Sequence, residues 1–129
     1  MARVPYLTED DLAPQHRDLL ARKLNLYRAL ANSPDSARAF QALGMHIRFH
    51  NKLDPRLREL AILQVGYLTR APYEWAHHIE LGRGFGVTDA DIQALMAETR
   101  GESTTLPALD RAVLRAAREL VAGTQVTDT

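Results

Sequence analysis

The chain has 129 residues, 46% of them hydrophobic, which is enough for a single domain with a substantial core. Sixteen basic and sixteen acidic residues balance, so no broad field for nucleic acid or an anionic membrane is expected. Cysteine is absent, which excludes disulfides, thiolate metal sites and thiol catalysis.

The first six residues, Met-Ala-Arg-Val-Pro-Tyr, hold no apolar signal core, and no apolar run approaches a membrane span of ~18 residues, so cytoplasm is the expected compartment. Residues 1–14 read as an N-terminal arm, extended around Arg3-Val-Pro-Tyr6 because proline disfavours helix in the residue before it. Within it Thr8-Glu-Asp-Asp11 resembles a capping box, with Asp replacing Glu, for a short turn ending near Pro14. Gln15 to about Leu24 is amphipathic through Leu19, Leu20 and Leu24, and Asn25–Asn32 reads as a further helical piece, continuous with it or kinked. Ser33-Pro34-Asp35 supplies N-cap, N1 and a first-turn acid for a helix to about His50. Ala39, Phe40, Leu43 and Ile47 are its expected core face, with Met45 and Phe49 opposite.

Asp54-Pro55 starts the next helix, and Thr69-Arg-Ala-Pro72 ends it and begins another, which predicts an antiparallel hairpin of about Pro55–Thr69 and Pro72–Phe85. The first arm has two polar side chains between Glu59 and Leu68, namely Glu59 and Gln64. A helix apolar nearly all round is buried, and a buried carboxylate needs a partner. Glu59 has three readings: a first-turn acid favoured by the helix dipole, a partner for Arg56, Arg58 or Arg70, or a functional carboxylate facing His78. On the second arm Glu74, Trp75, His78, Leu81, Gly82 and Phe85 share a face, whereas His77 falls elsewhere and is expected to meet water. Glu74 and His78, at i,i+4, read either as a helix-surface pair or as an imidazole and carboxylate tuned for general acid–base work. Tyr73 and Trp75 read as packing residues or as pocket wall. His46 and His50 also stand at i,i+4 but lack a His-Glu-x-x-His arrangement, so no metal or cofactor is assigned; His50 lies nearer the core face and joins Tyr73 and Trp75 as a candidate pocket residue.

Gly82-Arg-Gly-Phe-Gly86 reads as a helix stop and close-packing site rather than a phosphate loop, since it follows no strand. Thr88-Asp-Ala-Asp91 caps a short helix through Ile92, Leu95 and Met96; Arg100–Thr105 is a polar loop; Pro107 opens a last helix that stops at Gly123. No segment alternates with period two and no repeat is present, so the fold class is all-α.

Three segments, Asn25-Leu-Tyr-Arg-Ala-Leu-Ala-Asn-Ser-Pro34, Leu53-Asp-Pro-Arg-Leu-Arg-Glu-Leu-Ala-Ile-Leu63 and Ala71-Pro-Tyr-Glu-Trp-Ala-His-His78, resemble the carboxymuconolactone decarboxylase-like family, which includes the alkylhydroperoxidase D proteins. The resemblance implies an alkylhydroperoxidase D-like helical bundle built on this hairpin and assembled as a trimer or hexamer. In the peroxidase branch a glutamate, a C-x-x-C pair and a histidine form a proton relay. By spacing, the glutamate falls on Glu59 and the histidine on His78, while the cysteines fall on Ala71 and Glu74, which removes thiol peroxidase chemistry. The decarboxylase branch loses carbon dioxide from an enol-lactone and protonates a carbon without a cofactor. The resemblance therefore implies Glu59, Glu74 and His78 as catalytic residues acting on a small carboxylated or lactone substrate. A non-catalytic oligomeric binding module is the alternative, and a peroxide-linked protein a third, weaker without cysteine. Similar proteins continue with further helices past the stretch matching Val126-Thr-Asp-Thr129.

Overall fold

A computed structural model of the chain describes residues 3–128. Met1 and Ala2, from the stretch read for a signal core, and Thr129, from the stretch after Val126, lie outside the described residues. Every regular element among the described residues is helical: 3-10 segments at Glu9–Asp11 and Pro14–Leu20, then α1 (Asn25–Leu30), α2 (Pro34–Phe49), α3 (Pro55–Leu68), α4 (Pro72–Gly84), α5 (Asp89–Thr99) and α6 (Ala108–Gly123). The all-α reading holds. No described helix is long and apolar enough to cross a membrane. The chain divides into two compact units, one ending at Asn51 and the other beginning at Lys52.

In the first unit Leu12, Leu20 and Ala31 form a small core covered by Leu7 and Tyr27. The arm is tied down by polar groups: the Arg28 guanidinium donates to the carbonyls of Leu7 and Tyr6, and the Asn32 amide to that of Pro5. The Thr8–Asp11 capping box is present. The segment expected to be amphipathic from Gln15 is wound as a 3-10 helix that buries Leu19 and Leu20. Pro34 starts α2, and the Ser33 hydroxyl bonds the Ser36 hydroxyl rather than the backbone. The expected core face of α2 is corrected: Ala39, Phe40, Leu43 and Ile47 are exposed, as are Met45 and Phe49, and Ala37 is the one buried residue of the helix. Apolar periodicity identifies which side chains would gain from burial; it does not supply the element that buries them.

The second unit is organised around α3. Asp54 accepts the backbone N–H of Leu57, and Pro55 occupies the first helical position, where its missing N–H costs nothing. At the far end Arg70 turns left-handed (φ 51°), and the N–H groups of Arg70 and Ala71 return to the carbonyls of Tyr67 and Gly66. This Schellman closure reverses the chain within three residues and delivers Pro72 to the start of α4. The same closure ends α4, with Gly86 at φ 92° and the Val87 N–H on the Gly82 carbonyl. The Thr88–Asp91 capping box then opens α5. Helix α3 touches α4, α5 and α6. Leu57, Leu60 and Leu63 meet Val87, Ile92, Leu95 and Leu114 in the core. Each fully buried leucine contributes ~1.5–3 kcal/mol relative to exposure, which explains why α3 is fixed on nearly every side. Arg58, Glu59 and Gln64 are buried within it, so each must be met by polar groups.

Candidate functional site

Glu59 is 1% exposed, and both its oxygens are used. Oε1 accepts from Nε and Nη2 of Arg58 at 3.1 and 3.0 Å, and Oε2 lies 2.7 Å from His78 Nδ1. The arginine partner is thus found at one oxygen and the contact with His78 at the other, whereas the first-turn reading is not met, since Glu59 lies beyond the first turn of α3. The Arg58 guanidinium also lies over the Phe85 ring, 4.7 Å from its centre, a favourable placement for a cation.

The hairpin makes this contact possible. His78 is on the second turn of α4, facing Glu59 on the second turn of α3, and Gly82 is one turn further on. A Cβ at Gly82 would meet Val87 Cγ2 at 3.2 Å and the Glu59 Cβ at 3.5 Å. The missing side chain lets α4 lie close against Glu59 and Val87.

Burial pushes the Glu59 carboxyl upward, but hydrogen bonds and charges from His78 and Arg58 together outweigh it and hold the group below its ordinary 4.5. At neutral pH Glu59 is therefore an anion with acceptors only, and Nδ1 must carry a hydrogen to bond it. In the neutral ring the lone pair is then on Nε2. That nitrogen faces Glu74 Oε2 at 3.5 Å, an ion-pair distance rather than a tight hydrogen bond. The Glu74 side chain is 47% exposed and His78's 16%, so the line of contacts runs from a buried inner end at Arg58 to an accessible outer end at Glu74.

Glu74 also borders an apolar cavity of about 440 Å³ between α3, the start of α4 and α6, within the usual range for small-molecule sites. Ile62, Val65 and Gly66 form its α3 wall, and Val113, Ala116, Ala117 and Leu120 its α6 wall. The α6 wall was not read from sequence; the adjacent small residues Ala116 and Ala117 inside an apolar stripe are the signal that could have marked it.

The structure brings Glu59, His78 and Glu74 together. Trp75 packs on Tyr67, ring centres 5.5 Å apart, at the edge of the core, and lines a separate cavity of about 370 Å³ with Ile79, Arg83 and Met96. Tyr73 is exposed and stacks on His77. His77, expected to meet water, is half-buried between Tyr73 and the edge of the His78 ring. His50 closes α2 in the first unit, where its ring stacks on His46 at 6.2 Å. Among the described residues no group of three or more His, Asp or Glu is placed to hold a metal ion.

No curated protein and no solved structure matches the chain. The sequence model of the carboxymuconolactone decarboxylase family, however, matches residues 34–119, a span that includes Glu59, Glu74, His78 and all of the cavity wall except Leu120. With well over half its length matched, the chain belongs to the carboxymuconolactone decarboxylase family.

Proposed function

We propose that this protein is a cofactor-free acid–base enzyme that moves a proton at a carbon of a small lactone or keto compound, with Nε2 of His78 as the working atom. The supporting observation is the 2.7 Å contact from buried Glu59 to His78 Nδ1, which aims the opposite nitrogen outward beside Glu74. In one half of the cycle a C–H proton of the substrate passes to the lone pair of Nε2. The released electron pair enters the conjugated carbonyl as an enolate. In the other half the Nε2 proton passes to carbon and the carbonyl reforms. Glu59 keeps its charge throughout and balances the imidazolium, the role a buried carboxylate plays behind a histidine base. Tyr73, Trp75 and His50 are assigned no contact with the substrate in this reading. The protein acts as a homo-oligomer, a reading supported by the exposed Phe40, Leu43, Met45, Ile47 and Phe49 of α2.

The test is solvent deuterium incorporation followed by NMR with α-angelica lactone and carboxymuconolactone as probes. The expected result is incorporation by the wild type, falling ~10²–10⁴-fold in a folded His78→Ala variant. Equal rates in both proteins, or none in the wild type with either probe, would favour the alternative reading of a non-catalytic binding module, for which the apolar cavity is the supporting feature. Sedimentation at micromolar concentration giving only a 14.4 kDa species would refute the oligomer.

A further inference from the structure

The family's name points to a carboxylated substrate, and a carboxylate in a low-dielectric site demands a cation or several donors. The cavity beside the relay offers neither. Among the described residues that line it there is no Arg, Lys or His. Its polar side chains are Thr69 and Glu74, and the Thr69 hydroxyl already donates to the Val65 carbonyl at 2.8 Å. Glu74 brings a negative charge to the rim. A carboxylated ligand would therefore face apolar walls and a like charge, whereas a hydroxyl or enol O–H would find an acceptor.

We infer that this cavity takes an uncharged, apolar small molecule whose single polar head donates a hydrogen bond to Glu74 (an enol or phenol hydroxyl) and that it rejects carboxylates, a substrate class that rests on the acid–base reading of the site given above. The walls fit an alicyclic or aromatic body: valine, isoleucine, leucine and alanine on two facing helices, with Gly66 on the α3 side. The head would sit beside the carboxylate that the His78 Nε2 faces, at the outer end of the relay.

Binding, not turnover, tests it. Methyl-resolved NMR titrations compare para-tert-butylphenol with para-tert-butylbenzoate, two probes of one shape that differ in the charge of the head. The expected result is shifts at the methyls of Ile62, Val65 and Val113 with the phenol, and at least about tenfold weaker binding of the benzoate. Glu74→Gln should narrow that difference, because it removes the like charge and keeps an acceptor. Ala116→Phe should abolish binding by filling the groove, and Val65→Trp on its exposed rim does the same should Ala116→Phe unfold. Equal or tighter binding of the benzoate overturns the inference. So does the absence of phenol binding at millimolar concentration, including the case in which a second copy of the chain already covers these methyls. The two readings fail separately. A wrong catalytic assignment abolishes deuterium incorporation but leaves the phenol preference, and a wrong ligand class leaves incorporation intact with the charge preference reversed.

Discussion

Arg56 and Glu59 stand one turn apart on α3, and each anchors a cluster of charges, yet the clusters end differently. Arg56 donates to Asp91 at 2.6 Å and to Asp110 at 2.7 Å, and Asp91 is further held by the N–H and hydroxyl of Thr88. Both carboxylates of that cluster are largely buried, at 12% and 6% side-chain exposure, and they tie α3 to the start of α5 and of α6. The Glu59 cluster is equally well satisfied at its inner end, but its last atom, His78 Nε2, meets a half-exposed carboxylate at 3.5 Å. A closed network positions helices; an open-ended one leaves a protonatable atom at a surface that a ligand can reach.

The comparison is broken most sharply by substitutions one turn apart. Arg56→Ala leaves Asp110, 6% exposed at its side chain, facing a lost partner. We expect a loss of ~3 kcal/mol, at the lower end for a partly buried pair, with the rate per folded molecule unchanged. Urea denaturation and deuterium-incorporation assays on the same sample check both halves. Glu59→Gln should differ by losing rate per folded molecule as well as stability, since it also leaves buried Arg58 without its carboxylate. The amide keeps the shape but no longer fixes the tautomer, and in the Ser-His-Asp template the equivalent change costs up to ~10⁴-fold, so ~10²-fold or more is expected here. If Arg56→Ala lost rate as steeply, the division between structural and chemical clusters would fail.

Parts of this contrast are legible in the sequence and parts are not. The hairpin is legible because local chemistry writes it: Asp54-Pro55 and Pro72 start helices, and the observed ends fall within one residue of those expected. Glu59 is legible as a buried carboxylate because its neighbours are apolar, and His78 because the hairpin must face it. The Arg56 cluster is invisible to the same reasoning, since Asp91 and Asp110 lie 35 and 54 residues away on other helices. The first of them reads locally as half of a capping box, which it also is. Helix α2 misleads for a related reason: its apolar stripe is real, but Phe40, Leu43 and Ile47 remain exposed.

Acid should weaken both clusters. Burial raises the Asp91 carboxyl, but Arg56 and Thr88 outweigh it and hold the group below its ordinary 3.8, as Glu59 is held below 4.5. A carboxyl depressed in the folded state contributes stability that is complete above its unfolded value and disappears as pH falls through the folded one. The stability gap between wild type and Arg56→Ala should therefore be widest at neutral pH and shrink below 3.8. The gap to Glu59→Gln should begin to shrink higher, from about 4.5. Urea midpoints measured from neutral pH downward decide this, and a gap independent of pH would mean that neither ion pair stabilises the fold.

The smallest effect belongs to the outer end of the open cluster. Glu74 is half-exposed and 3.5 Å from its partner, so its pairing with His78 is screened by water and resembles an ordinary i,i+4 surface pair. Glu74→Gln should change stability by less than ~0.5 kcal/mol, within the range of exposed pairs. Its effect on rate should still be measurable, a decline of about threefold to tenfold, because a negative charge beside the proton-accepting nitrogen stabilises the positive charge that develops on the ring during transfer. That loss is smaller than the loss for Glu59→Gln, because Glu59 fixes the ring while Glu74 only tunes its outer face. Measuring the two variants and their combination gives the decisive number. Losses that multiply would mean that the carboxylates act independently on the two ring nitrogens. A double variant no slower than Glu59→Gln alone would mean that Glu74 acts only on a ring that Glu59 has already oriented, and the relay would then be ordered from its buried end outward.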